Sequence, residues 1–253
     1  MHRRVSVSGG YAHIGRKGNA RCGSNGRLKT GQGKCLRLVA AISLKLGCNV
    51  ELLDKCGADL VIFGTGPKVP ENTKDLLAQC EVEFAAGVCA RQFANRCLPP
   101  LPRGMVVVIL EGISQEVSSK CNVTNPLHNE FLKYASCMNK VGDALHKCMK
   151  KLTLSLDYSA SIEPHLRVGR SCCNFAEYLT CSGDAMKKEC GEEAEEYLKK
   201  LLTRSAGDFI EIACINHRTD FESCKSSANV VDMSTTRITS LLSPMAKLVS
   251  AEG

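Results

Sequence analysis

Tryptophan is absent from the 253 residues, and aromatic side chains make up only 5% of them. A core built from this chain must be aliphatic carbon and sulfur, which suits packed helices better than β-sandwiches, where aromatic and β-branched residues are favoured. No apolar run reaches the roughly 18 residues that a transmembrane helix requires. The sixteen cysteines contain no C-x-x-C pair, so the spacing of zinc knuckles and thioredoxin-like redox sites is missing. The six histidines are scattered without an H-E-x-x-H, and neither a metal nor any other cofactor is expected. Acidic residues are missing altogether from residues 1–47.

That last absence localises the charge. The net +7 would point to nucleic acid or a membrane surface if it covered the folded part. Residues 1–47, however, hold ten Lys or Arg and no Asp or Glu, which leaves 48–253 with 23 basic and 26 acidic side chains, a net of −3. A slightly acidic body with few aromatics has neither the basic stripe nor the stacking platform of a nucleic-acid binder, so no nucleic-acid partner is expected. Residues 1–47 read as a basic leader. Its apolar run Leu36 to Leu46, broken by Arg37 and Lys45, is the nearest thing to a signal segment; the favoured expectation is a start downstream of Met1, and the alternative is a disordered basic arm on a protein exported by another route.

What is present in abundance is cysteine in a repeating pattern. Cys48, Cys56, Cys80, Cys89, Cys97 and Cys121 are spaced by 8, 24, 9, 8 and 24 residues. Cys137, Cys148, Cys172, Cys181, Cys190 and Cys214 are spaced by 11, 24, 9, 9 and 24. Three of five steps are identical and a fourth differs by one, which marks a tandem repeat. Cys173 and Cys224 form a surplus pair, while Cys22 and Cys35 lie in the leader. The expected organisation is a basic leader over 1–47, a first six-cysteine helical unit over 48–121, a second over 122–224, and a Ser/Thr-rich loose tail over 225–253. An even number of widely spaced cysteines reads as a disulfide framework, which persists in an oxidising compartment, so the protein is expected to be secreted and extracellular.

The expected fold is all-α, a tandem duplication of a three-helix, three-disulfide unit with six main helices. In the first unit, Asn49 caps a helix to about Phe63, with Leu52, Leu53, Cys56 and Leu60 on one face. Gly64, Gly66, Pro67 and Pro70 end it. Thr73 caps a second helix that stops at the Pro99-Pro100 corner, and a third runs from about Arg103 to Lys120. The run Val106 to Ile109 is β-prone and leaves a strand as the alternative there. In the second unit one helix runs from Pro126 past Leu152, the next from Cys172 to Cys190, and the last from Gly191-Glu192-Glu193 to Ile212.

Helical geometry narrows the fifteen ways of pairing six cysteines. In an antiparallel hairpin, partners are symmetric about the turn. Cys48 with Cys97 and Cys56 with Cys89 are both symmetric about a point near residue 72, beside Pro70, and Cys80 with Cys121 about the Pro99-Pro100 corner. Cys137 with Cys190 and Cys148 with Cys181 centre on Pro164, and Cys172 with Cys214 on residue 193. Cys80 and Cys89 are nine residues apart and so face opposite sides of their helix, as a helix between two neighbours requires. The main rival, with Cys56 bonded to Cys80 and Cys48 to Cys89, leaves Cys97 and Cys121 about 36 Å apart. The surplus bond joins Cys173 to Cys224, although the adjacent Cys172 and Cys173 can exchange partners.

Four stretches carry a resemblance: Leu53-Asp54-Lys55-Cys56, Arg96-Cys97-Leu98, Cys172-Cys173-Asn174-Phe175-Ala176-Glu177-Tyr178, and Glu189-Cys190-Gly191-Glu192-Glu193-Ala194. Over roughly residues 48–224 the chain resembles a family of secreted, cysteine-rich helical proteins from arthropods. The resemblance implies a soluble extracellular α-helical protein and supplies no catalytic residues. The basic leader departs from the clean signal peptide that such proteins carry.

Candidate chemistry is sparse. Secreted phospholipases A2 place a catalytic His-Asp pair shortly after a Cys-Cys, but after Cys172-Cys173 the corresponding positions are Ala176 and Glu177, with no imidazole to activate water. Gly64-Thr65-Gly66-Pro67 reads as a turn rather than a phosphate loop, and Gly31-Gln32-Gly33-Lys34 lacks P-loop spacing. His146, beside Cys148, reads as a helix-surface residue. Asn122-Val123-Thr124 is an N-glycosylation sequon between two expected helices. The leading functional expectation is a non-catalytic binding module for an apolar small molecule or lipid. An extracellular structural or protein-interaction role is the alternative, and a hydrolase ranks third.

Overall fold

The computed structural model describes residues 48–206, 208–217, 224 and 239–248, and every regular element in them is helical. Among the described residues nine α-helices are delimited where six main ones were expected: α1 (Val50–Gly57), α2 (Thr73–Cys97), α3 (Pro100–Cys121), α4 (Pro126–Lys140), α5 (Gly142–Ser161), α6 (Pro164–Cys190), α7 (Glu192–Ala206), α8 (Asp208–Cys214) and α9 (Leu242–Leu248). The leader over 1–47, with Cys22 and Cys35, and residues 225–238 lie outside the described set. No described helix is long and apolar enough to cross a membrane.

Local chemistry explains most boundaries. The Asn49 side chain accepts from the Glu51 N–H at 3.0 Å and opens α1. At α2 the cap is Asn72, one residue before the expected Thr73, because its Oδ1 accepts from the Asp75 N–H at 3.0 Å. The Thr73 hydroxyl instead reaches His128 Nε2 at 3.1 Å. α3 opens at Pro100, earlier than expected, since Pro100 and Pro102 occupy first-turn positions whose N–H groups have no helical partner. Residues 106–109 lie inside this helix, so the strand alternative is overturned. α6 opens at Pro164 instead of near Cys172 for the same reason. It closes at Gly191, whose φ of 86° is the left-handed conformation that glycine adopts freely.

The long helix expected over Pro126 to Leu152 is broken at Val141. The cause is tertiary. Asn139 pairs with the Pro67-to-Glu71 loop, accepting from the Val69 N–H at 2.7 Å and donating to the Val69 carbonyl at 2.8 Å. The loop then crosses Gly142 so closely that a Cβ there would lie 1.8 Å from the Pro67 carbonyl oxygen. The helix expected to run on to about Phe63 stops at Gly57, followed by a 3₁₀ turn over Ala58–Leu60. Phe63 then takes a positive φ of 62°, held by His146, whose Nδ1–H donates to its carbonyl at 2.6 Å. His146 is thus a loop anchor on α5 rather than a surface residue.

Seven disulfides join these elements. Cys48–Cys97 and Cys56–Cys89 tie the α1 region to α2, and Cys80–Cys121 ties α2 to α3. Cys137–Cys190 and Cys148–Cys181 tie α4 and α5 to α6. Cys172–Cys214 ties α6 to α8, and Cys173 is bonded to Cys224. Among the described residues one apolar core runs from Leu53 and Leu76 to Met186 and Leu198.

Part of the expected loose tail is structured. Leu242 in α9 is fully buried, and Met245, Ala246 and Leu248 join the same core. A buried carboxylate holds the helix: Asp54 accepts from the Thr239 N–H and hydroxyl at 2.8 and 2.7 Å and from the Ser240 N–H at 2.8 Å. Gly57 leaves room for this approach, since a Cβ there would sit 2.6 Å from Ser240 Oγ. Lys247 Nζ adds an ion pair to Asp157 at 2.9 Å.

Candidate functional site

The sites expected from sequence are spread through the molecule. Asn122 is exposed at the end of α3, and its Oδ1 accepts from the Thr124 N–H at 3.1 Å and hydroxyl at 2.8 Å, which turns the sequon outward as a compact loop. Every described cysteine is in a disulfide. Glu177, at the phospholipase-like position, pairs with Lys151 at 3.3 Å on the surface. Gly64 lies in a turn, its N–H donating to the Val61 carbonyl at 2.9 Å.

The feature that gathers the most structure is an apolar cavity of about 120 Å³ inside the helical body. Its first wall is the α3 stripe Met105, Ile109, Ile113 and Val117, every fourth residue on one helix face. Met149, Leu152 and Leu156 of α5 stand opposite. Val168 and Phe175 of α6, Leu201 and Leu202 of α7, and Phe209 and Ala213 of α8 close the sides. Leu242, Met245 and Leu248 bring α9 across it, so the Asp54 contact that seats α9 also completes the wall.

Two charged side chains interrupt the α3 stripe, Glu116 and Lys120. They are one turn apart but pair with different helices. Glu116 Oε2 accepts from Arg204 Nε of α7 at 2.7 Å, with a longer contact from Nη2 to Oε1 at 3.4 Å. Desolvation works against the Arg204 cation, but the hydrogen bond and charge of Glu116 outweigh it and leave its pKa raised. Lys120 Nζ lies 2.9 Å from each carboxylate oxygen of Glu83 on α2 and 5.4 Å above the Phe131 ring. Its carbonyl accepts from His128 Nδ1 at 2.7 Å. Nearby, Tyr197 stacks on Tyr134 with centroids 4.4 Å apart. Burial pushes the Tyr197 phenol far above its ordinary pKa, and the Glu116 charge pushes in the same direction. Burial does the same to Tyr178 on the cavity wall.

Sequence reasoning missed this site. The α3 stripe was visible as periodicity, but Glu116 and Lys120, lying on an otherwise apolar face, were the one local signal that something polar is enclosed there. A second, more polar groove of about 270 Å³ runs between α2 and α3, bordered by Phe84, Val88 and Arg91. Arg91 Nη2 bonds to Glu111 at 3.3 Å beside it. No family model matches the chain, and no curated protein or solved structure is significantly similar to it.

Proposed function

We propose that this chain is a secreted, disulfide-braced helical binding protein, without a catalytic step, whose interior cavity holds an apolar small molecule or part of a lipid. The observation that carries the reading is the cavity itself: six helices contribute its lining, and that lining is predominantly aliphatic, the composition of a site that recognises by exclusion of water. Seven disulfides support secretion, because such bonds persist in oxidising compartments. The resemblance to secreted cysteine-rich arthropod proteins points the same way.

Within this reading the body is a tandem duplication of a three-helix, three-disulfide unit, over 48–121 and 122–224. Its support is the shared cysteine spacing, together with the parallel positions of α2 and α6, each bonded to neighbours on two sides. The sequon at Asn122 then lies at the junction of the two units and carries a glycan.

An extracellular protein-interaction role is the second reading. Phe84 and Val88, 45% and 57% exposed on one face of α2, favour it. Extraction of the purified, oxidised protein into organic solvent followed by mass spectrometry separates the two. A stoichiometric apolar compound supports the carrier, and an empty extract shifts the weight to the interaction surface.

A further inference from the structure

The charged groups on the cavity wall carry a pattern of their own: each is already taken. Glu116 is neutralised by Arg204 and Lys120 by Glu83, at 2.7 and 2.9 Å. The side chains of Glu116, Lys120 and Glu83 are 5%, 8% and 7% exposed, so none of the three has bulk water to screen it. The two lining serines are also engaged within their own helices. Ser171 Oγ donates to the Arg167 carbonyl at 2.8 Å and Ser205 Oγ to the Leu201 carbonyl at 2.9 Å.

A ligand that brings a charge into such a space must shed its hydration and finds no uncommitted opposite charge among the described lining residues. To bind a carboxylate, the cavity would have to give up one of the existing pairs, leaving a buried ion unpaired. A neutral apolar ligand asks for none of this. Size adds a second limit. Aliphatic cavities of about 150 Å³ admit a molecule such as benzene, and this one is of that order at about 120 Å³. An acyl chain of a dozen carbons would extend beyond it.

We infer, resting on the cavity reading above, that the ligand is a small uncharged apolar molecule of about one ring, and that fatty acids and other ionised ligands are rejected by the pre-paired wall. Shape fit selects the ligand, and the paired charges set the sign of discrimination.

Three probes on one carbon frame test this on the full, oxidised chain at pH 7: toluene, benzoate and benzylamine. The readout is the methyl NMR signals of Met105, Met149 and Met245, which all line the cavity. Toluene is expected to shift them saturably, with benzoate and benzylamine at least about 100-fold weaker, the scale of an uncompensated buried charge. If either ion binds within tenfold of toluene at the same methyls, the inference is overturned while the cavity reading stands. If toluene shifts none of the three, the cavity reading falls with it.

Discussion

Replacing Cys80 and Cys121 together with alanine removes the bond between α2 and α3, which closes a loop of 41 residues. Chain-entropy arithmetic for a loop of that length gives about 4 kcal/mol of stabilisation lost through the unfolded state. The pair must go together, because a lone cysteine left behind attacks neighbouring disulfides. The native fold has reason to survive, since the Lys120–Glu83 ion pair and the buried α3 residues Val106, Ile109 and Leu110 still hold α3 against its neighbours. With a guanidinium chloride m-value of about 4 kcal/mol per molar, the unfolding midpoint falls by about 1 M. Circular dichroism at 222 nm across the titration measures it. A midpoint within about 0.2 M of the parent would show that this bond does not constrain the chain, and the loop-closure reasoning would fail.

Other consequences follow from single contacts. Asp54→Ala removes the acceptor of three hydrogen bonds that seat α9, at a cost of about 3 kcal/mol locally; faster hydrogen exchange at the Met245 amide, with the remaining helices unchanged, is the expected result. Gly142→Ala drives a methyl into the Pro67 carbonyl and lowers the melting temperature, by about 3 kcal/mol in stability terms. The raised phenol pKa values of Tyr178 and Tyr197 mean that the folded state keeps its protons where the unfolded state has lost them. Their contribution is complete below about pH 10 and declines as pH rises from there toward the raised values, at about 1.4 kcal/mol per pH unit per group. Absorbance titration near 295 nm should show two tyrosines still protonated at pH 11 in the folded protein; complete ionisation below that pH would contradict their burial.

Helix identity was readable wherever it depends on neighbours in sequence. Asn49 and the Pro126 start act within one turn, and the Pro99-Pro100 corner separates α2 from α3 as its chemistry requires. The break between α4 and α5 was not readable, because Cys137, Val141, Leu145 and Cys148 continue an unbroken helical period. What breaks it is a loop 70 residues away docking on Asn139. The first two turns of α6 were hidden for another reason: Arg167 and Arg170 are buried there, and a polar run does not announce a core-facing helix. The short segment Leu242–Leu248, carrying Ser, Pro and Lys, becomes a buried helix only because Asp54 holds its entry. The cavity was beyond a linear reading altogether, being the space left where six helices meet.

The binding reading requires an accessible apolar cavity in the body of the protein. A crystal of the oxidised chain pressurised with xenon tests it directly, since xenon enters dry aliphatic cavities without needing a polar contact. An ordered xenon atom bounded by Ile109, Leu152, Phe175 and Met245 is the expected result. Density showing those four side chains packed against one another, with no xenon between them, would contradict it.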